Sequence, residues 1–202
     1  KVHVQETTEA NKDLVNIEQG AMQVTDQALY MGFNGENVKI YPQSAAGQGL
    51  GWARYDDGQY TSSNKLSLSA GVEVILPNNA ATSYRSAAGV DYYNGTTKKV
   101  LGDHLNDTYM MTIVFKYSSA NANQTYLEMH FQGGNGTPYD RIRNTITFPK
   151  GNDATHDAHS VFQYYVDASF ITNGSQWKIT ANGGTAQVWD IIYFIQKTQS
   201  YV

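Results

Sequence analysis

Apolar and polar residues alternate along most of this chain, with the two-residue period of a β-strand. Tyr109, Met111, Ile113, Phe115 and Tyr117 fall on one face of a long predicted strand. Leu127, Met129 and Phe131 alternate with Glu128 and His130. Ile142, Ile146 and Phe148 share a face with Asn144, opposite Arg141, Arg143, Thr145 and Thr147. Phe162, Tyr164, Val166 and Phe170 repeat the pattern, followed by Trp177-Lys178-Ile179 and by Val188 to Ile195. Earlier, Leu66 and Leu68, then Val72, Val74 and Leu76, alternate with polar positions. Asn94-Gly95, between Val90–Tyr93 and Thr96–Val100, reads as a hairpin turn because both residues tolerate positive φ. No helical periodicity separates these segments. Strands joined by turns alone form antiparallel sheets, and a two-sheet sandwich is the natural closure. The long strands of the second half favour a jelly roll over an immunoglobulin sandwich, whose Cys…Trp…Cys spacing is missing.

The first fifth of the chain reads differently. Residues 1–19 are polar and predict an extended arm, with room for a short helix between Glu6 and Val15. Ala21–Val24, Gln27–Gly32 and Val38–Tyr41 predict strands of a small meander, turning at Thr25-Asp26 and Asn34-Gly35. Such a meander is too short to hold a core unaided. Pro42 to Gly51 has the Gly/Ala/Ser/Gln character of a linker. The expected organisation is an arm and β-hairpin region over 1–41, a linker over 42–51 and a jelly-roll domain over 52–202.

Composition narrows the function classes. Fifteen Tyr and 18 Gly in 202 residues suit strands and the turns between them. A hydrophobic share of 41% is too high for disorder, and no apolar run is long enough to form a membrane-spanning helix. A net charge of −4 argues against a broad nucleic-acid surface. The absence of Cys removes disulfides, thiolate nucleophiles and cysteine-ligated metal centres. The opening Lys1-Val2-His3-Val4-Gln5-Glu6 lacks the basic and apolar regions of a signal peptide.

The segment Val188-Trp189-Asp190-Ile191-Ile192-Tyr193-Phe194-Ile195 is apolar on both faces. Counted straight through, one face carries Val188, Asp190, Ile192 and Phe194, and the other Trp189, Ile191, Tyr193 and Ile195. A sandwich buries only the inward face of each strand. Covering four such side chains is worth roughly 6–12 kcal/mol, at ~1.5–3 kcal/mol each. Either a loop or the N-terminal meander covers the second face, or it forms a subunit interface. On the second reading the interface residues are Trp189, Ile191, Tyr193 and Ile195. Asp190 interrupts the pattern and is expected either to pair with Arg141 or Arg143 or to sit at a solvated strand start.

Candidate chemistry is sparse. His156-Asp157-Ala158-His159, with Asp153 before it, is an acidic/His cluster. Its histidines are three apart in a predicted loop or strand entry, not at the i, i+4 spacing of helical zinc motifs, so a solvated turn leading into the Val161–Phe170 strand, and no metal, are expected. There is no Gly-x-Ser-x-Gly elbow. Asp56, Asp57, Asp103, Asp107 and Glu128 could serve a glycosidase, yet no spacing selects a pair. Gly133-Gly134-Asn135-Gly136 lacks the Lys-Ser/Thr of a phosphate loop. Tyr84, Tyr92, Tyr93, Tyr139, Tyr164 and Tyr165 would stack on sugars if exposed, and would otherwise be sandwich core. Neither catalytic residues nor a cofactor is expected.

Phe148-Pro149-Lys150-Gly151, His159-Ser160-Val161-Phe162, Phe170-Ile171-Thr172-Asn173-Gly174 and Val188 to Lys197 together resemble trimeric virion proteins of tailed bacteriophages, which carry a jelly roll like that of tumour necrosis factor and C1q. Arg54 to Tyr60 and Leu66 to Val72 are similar to the opening strands of such domains. Thr25-Asp26-Gln27-Ala28-Leu29-Tyr30-Met31-Gly32-Phe33-Asn34-Gly35 resembles the short hairpins that precede distal domains in phage fibre and head-attachment proteins. The resemblance implies a homotrimer on the virion exterior, as a capsid decoration (cement) protein. Its expected partner is the major capsid protein or another virion protein, reached through an attachment hairpin carrying Leu29, Tyr30, Phe33, Val38 and Ile40. The alternative it implies is a distal fibre domain that recognises host surface glycans through loops such as Asn78–Gly89, Asn121–Gln124 and Gly133–Tyr139. Neither nucleic acid nor a membrane is an expected partner.

Overall fold

Strands form where the alternation is cleanest. The computed structural model describes residues 50–86, 90–120, 125–133, 139–149 and 154–200, and the backbone of four strands before residue 43. The chain divides into two units, Lys1–Gly49 and Leu50–Val202. In the first, β1 (Val4–Glu6) pairs in parallel with β2 (Met22–Val24). Antiparallel pairing then joins β2 to β3 (Ala28–Phe33), and β3 to β4 (Glu36–Pro42). The arm therefore contributes a strand that its polar sequence does not announce. The helix expected from Glu6 to Val15 and the turn at Asn34-Gly35 fall largely or wholly outside the described residues.

The second unit contains β5 (Trp52–Asp56), β6 (Leu66–Leu68), β7 (Val74–Ile75), β8 (Thr82–Arg85), β9 (Tyr93–Asn94) and β10 (Lys99–Val100). There follow β11 (Thr108–Ser118), β12 (Tyr126–Gly133), β13 (Tyr139–Thr147), β14 (His156–Tyr165), α1 (Ala168–Asn173), β15 (Ser175–Asn182) and β16 (Ala186–Gln199). Sheet one runs β14-β11-β16-β5-β8, with β6 also on β16. Sheet two runs β13-β12-β15-β10-β9, with β7 also on β15. The two antiparallel sheets pack as a sandwich. The chain crosses repeatedly between them, and β16 inserts between β5 and β11, which is the strand order of a jelly roll.

The core is aromatic. Trp177 stacks on Phe131 at 4.8 Å and packs against Phe162 at 4.4 Å, and its indole Nε1 donates to Met111 Sδ at 3.3 Å. Tyr164 stacks between Tyr109 and Phe170. Buried phenols on the other side find backbone partners. Tyr93 donates to Asn78 O, Tyr193 donates to Leu76 O at 2.7 Å, and Tyr55 Oη accepts from Tyr92 N. Burial pushes the Tyr55 phenol up to about 12. Asn78 is fully buried and staples the end of the β5–β16 pair, donating from Nδ2 to Tyr55 O and Ile191 O.

Two local expectations are corrected. The strand expected to run through Phe170 stops at Tyr165, and a one-and-a-half-turn helix follows. Asp167 caps it by accepting from Phe170 N, and Gly174 ends it at φ 65°. Arg141 grips the same carboxylate with both Nη atoms at 2.9 Å. At Asn94-Gly95 the positive φ belongs instead to Lys98 (59°). Gly95 is required for a different reason: a Cβ there would lie 2.6 Å from Asn79 O.

Asn78→Ala is expected to cost about 2–4 kcal/mol, because it strands two buried carbonyls; urea denaturation at neutral pH measures it. The Arg141 hydrogen bond holds Asp167 below the usual carboxylate range. A lowered folded-state pKa gives stability that is complete above the unfolded value of about 3.9 and lost as pH falls through the folded one. The stability gap between wild type and Asp167→Asn should therefore stay constant from pH 7 to about pH 5 and close only below about pH 4. Denaturation at a series of pH values reads this directly.

Candidate functional site

The outward face of sheet one carries a run of apolar side chains among the described residues, and a bulge in β16 decides which of its residues join it. Lys116 pairs with Trp189 and Val114 with Ile192, so one extra residue of β16 is accommodated between them. Asp190 takes a φ of 54° at this point. The side-chain phase flips there. Val188 faces the core before the bulge, and Ile191, Tyr193 and Ile195 face it afterwards.

This corrects the expected interface. Ile191, Tyr193 and Ile195 are at most 1% exposed within one chain, packed between its own sheets, and are not free to meet another subunit. Trp189 lies on the outer side but is only 3% exposed, with Lys65 Nζ 4.0 Å above its ring. Asp190 pairs with Lys116 at 3.2 Å, and neither Arg141 nor Arg143 is its partner. Arg143 pairs with Asp140 at 2.6 Å.

The outward residues of β16 are Ile192 and Phe194, and the ladder extends them sideways. One row crosses the sheet as Val161, Thr112, Phe194, Arg54 and Tyr84. The next row runs His159, Val114, Ile192 and Asp56, and a third Gln163, Met110, Gln196 and Trp52. Phe194 stacks on Trp52 at 5.7 Å. Val161 and Tyr84 are 55% and 54% exposed. Arg54 and Asp56 neutralise each other at 2.7 Å. Sheet two presents the opposite character. Its outer face carries Glu128, His130, Gln132, Arg143, Thr145, Gln176, Lys178 and Thr180, with Tyr126 at one end. His130 Nδ1 there lies 3.4 Å from Glu73 and 3.5 Å from Asp140.

The residues expected to form the attachment hairpin lie in two paired strands. Leu29, Tyr30 and Phe33 lie in β3, Val38 and Ile40 in β4, with Tyr30 opposite Lys39 and Met31 opposite Val38.

Among the described residues, the candidate groups other than Asp103 and Asp107 lie apart, each with partners or surroundings of its own. His156 and His159 fall in the first rungs of the β14 ladder, the strand entry and not the loop of the two placements expected, and their odd spacing puts them on opposite faces. His156 sits against the rings of Tyr117 and Phe148, and Asp153 lies outside the described residues. Asp56 pairs with Arg54, Asp57 accepts from Tyr60 N and Asn79 N, and Glu128 accepts from Asn182. Of the candidate tyrosines, Tyr92, Tyr93 and Tyr164 are core, while Tyr84, Tyr139 and Tyr165 are exposed.

Of the candidate carboxylates, Asp103 and Asp107 are brought together by the fold, in a cluster whose other members, His104 and Lys197, the sequence did not select. Asp103, His104 and Asp107 gather around the ammonium of Lys197, which is 2.7 Å from Asp107 Oδ2 and 3.0 Å from Asp103 Oδ2. Lys197 is 2% exposed and Asp107 0%. A cation of the chain's own already occupies the place that a metal would take. Burial alone would lower the Lys197 pKa, but the hydrogen bonds that it donates to Asp107 and Asp103 outweigh this and hold it above the usual lysine value. A signal was present: Lys197 continues the core-facing parity of Ile191, Tyr193 and Ile195, and a lysine at such a position needs anionic partners.

No family profile and no curated protein matches this sequence. Solved structures do resemble the fold. The Eiger tumour necrosis factor of S. frugiperda is 10% identical, with a TM-score of 0.47, over 76% of this chain and 94% of that one. The PRD1 vertex protein P5 is 13% identical, with a TM-score of 0.40, over 96% and 91%. The VP2 subviral particle of infectious bursal disease virus is 10% identical, with a TM-score of 0.42, over 86% and 40%. These likenesses are distant. The assignment to the jelly-roll class rests on the strand order within the chain itself.

Proposed function

We propose that this chain is a non-enzymatic structural protein of a virus particle, acting as a homotrimer on the capsid exterior. In this reading residues 1–41 attach it to the major capsid protein and the jelly roll trimerises through the outer face of sheet one. The observation that carries the reading is the contrast between the two outer faces. Sheet two is clothed in charged and polar groups, whereas sheet one presents Val161, Phe194, Tyr84, Ile192, Met110 and Trp52 in neighbouring rows. Fully covering a large apolar side chain is worth about 1.5–3 kcal/mol. Apolar patches of this kind mark association surfaces. The mutual neutralisation of Arg54 and Asp56 lowers the cost of taking this face out of water. The placement on a virion, and the number three, come from the resemblance of the sequence to trimeric phage proteins.

The mechanism is adhesive. A protein that binds the assembled shell more tightly than its free subunits stabilises the shell by mass action. Three linked attachment arms engage three sites at once, raising avidity without new contacts per arm.

Phe194→Asp is expected to give a folded single chain, whereas Ile195→Asp, in the core, should prevent folding. Light scattering with circular dichroism separates the two. A wild-type mass of one chain at micromolar concentration, or a trimer undisturbed by Phe194→Asp, would overturn the interface. Deleting residues 1–41 should leave the trimer intact and abolish its binding to capsids in co-sedimentation.

A further inference from the structure

We propose that Lys197 and Asp107 become joined by an intramolecular amide bond, with Asp103 carrying the proton. All three groups are within ion-pair distance: Lys197 Nζ lies 2.7 Å from Asp107 Oδ2 and 3.0 Å from Asp103 Oδ2. They are held on ordered backbone. Lys197 pairs with Tyr109 in the β11–β16 ladder, and its N–H donates to Gly51 O. Asp107 immediately precedes β11, and its own backbone carbonyl accepts from Val166 N. Reactants fixed at this separation reach effective molarities of order 10⁵–10⁸ M.

The surroundings suit condensation. The rings of Tyr92 and Tyr109 pack edge to face at 5.2 Å, and Asp107 is sealed from solvent. Water, the product that would reverse the reaction, meets the cluster on the side of Asp103 and His104, while Lys197 and Asp107 themselves are closed to it. Asp107 Oδ2 also accepts from His104 N at 3.1 Å and from Tyr109 Oη at 3.4 Å. These donors face the oxygen on which negative charge develops as the carbonyl carbon is attacked. His104 lies at the outer edge of the cluster, with Nδ1 3.3 Å from Asp103 Oδ2 and 3.6 Å from Asp107 Oδ2.

The step balances within the chain. At rest the lysine is an ammonium facing two carboxylates. Transfer of one ammonium proton to Asp107 Oδ1 gives the neutral amine and acid, a minor state beside the ion pair, in which Oδ1 is the hydroxyl that departs and Oδ2, with its donors, stays as the carbonyl oxygen. The amine lone pair attacks Asp107 Cγ. Asp103 takes the proton released from nitrogen and returns it to the departing hydroxyl, which leaves as water. One C–N bond forms, one C–O bond breaks, nothing is oxidised or reduced, and Asp103 ends as it began.

The test is the mass of the full chain, purified after folding and measured under denaturing conditions. The bridged chain is lighter by one water, and digestion yields a branched peptide joining Asp107 to Lys197. Lys197→Arg keeps the ion pair and should keep the full mass. Asp107→Asn should lose ammonia in place of water. Asp103→Asn should slow bridging in a time course; an unchanged rate would overturn the role of Asp103. A wild-type chain that keeps its full mass after prolonged incubation in the folded state would overturn the bond. So would a water loss that maps to Asp57-Gly58, where an aspartate precedes glycine.

Discussion

A pleated strand turns successive side chains to opposite sides, so each strand of a sandwich has one dry side and one that something else must cover. Much of this molecule follows from how β16 meets that constraint. It is the longest strand of its unit, and it lies between β5 and β11 in the middle of sheet one. The extra residue at Asp190 resets its phase, giving Ile191, Tyr193 and Ile195 to the core and leaving Ile192 and Phe194 outside. Without that bulge, Trp189 would share the core face with them, and Val188 would leave it. The apolar outer surface is thus a product of one backbone irregularity as much as of composition.

The polar groups inside the sandwich obey a complementary rule: a buried donor or acceptor is tolerated when it has a partner. Asn78 supplies its amide to two main-chain carbonyls where β5 and β16 end their pairing. Arg141 holds the Asp167 carboxylate through both Nη atoms, and Asp167 sets the start of α1. Lys197 is admitted because two carboxylates receive it. These contacts tie segments far apart in sequence, and each falls where a regular ladder stops.

This division explains what was legible in the sequence. The long strands were readable, since eleven residues of β11 alternate without a fault. The jelly-roll class followed from their length and from the lack of helical period. Short pieces such as β7 and β10 were less distinct, because two residues carry no period of their own. The direction of β16 could not be read, because a bulge at Asp190 has no signature that distinguishes it from ordinary alternation. The core parity of Lys197 was readable, and its partners were not: they lie some ninety positions away, and only the fold brings them together. At α1 the apolar spacing through Phe170 read as a strand, and the caps Asp167 and Gly174 were not recognised without the fold.

The central seat of β16 also bears on how the chain is made. Residues emerge from the ribosome in order, and β5 and β11 each keep an open edge until residues 186–199 arrive to fill the gap between them. Unpaired edges of this kind invite pairing with other chains. Sheet one therefore closes only once residues 186–199 are made, and a polypeptide released before that point would carry two sticky borders in place of a finished wall.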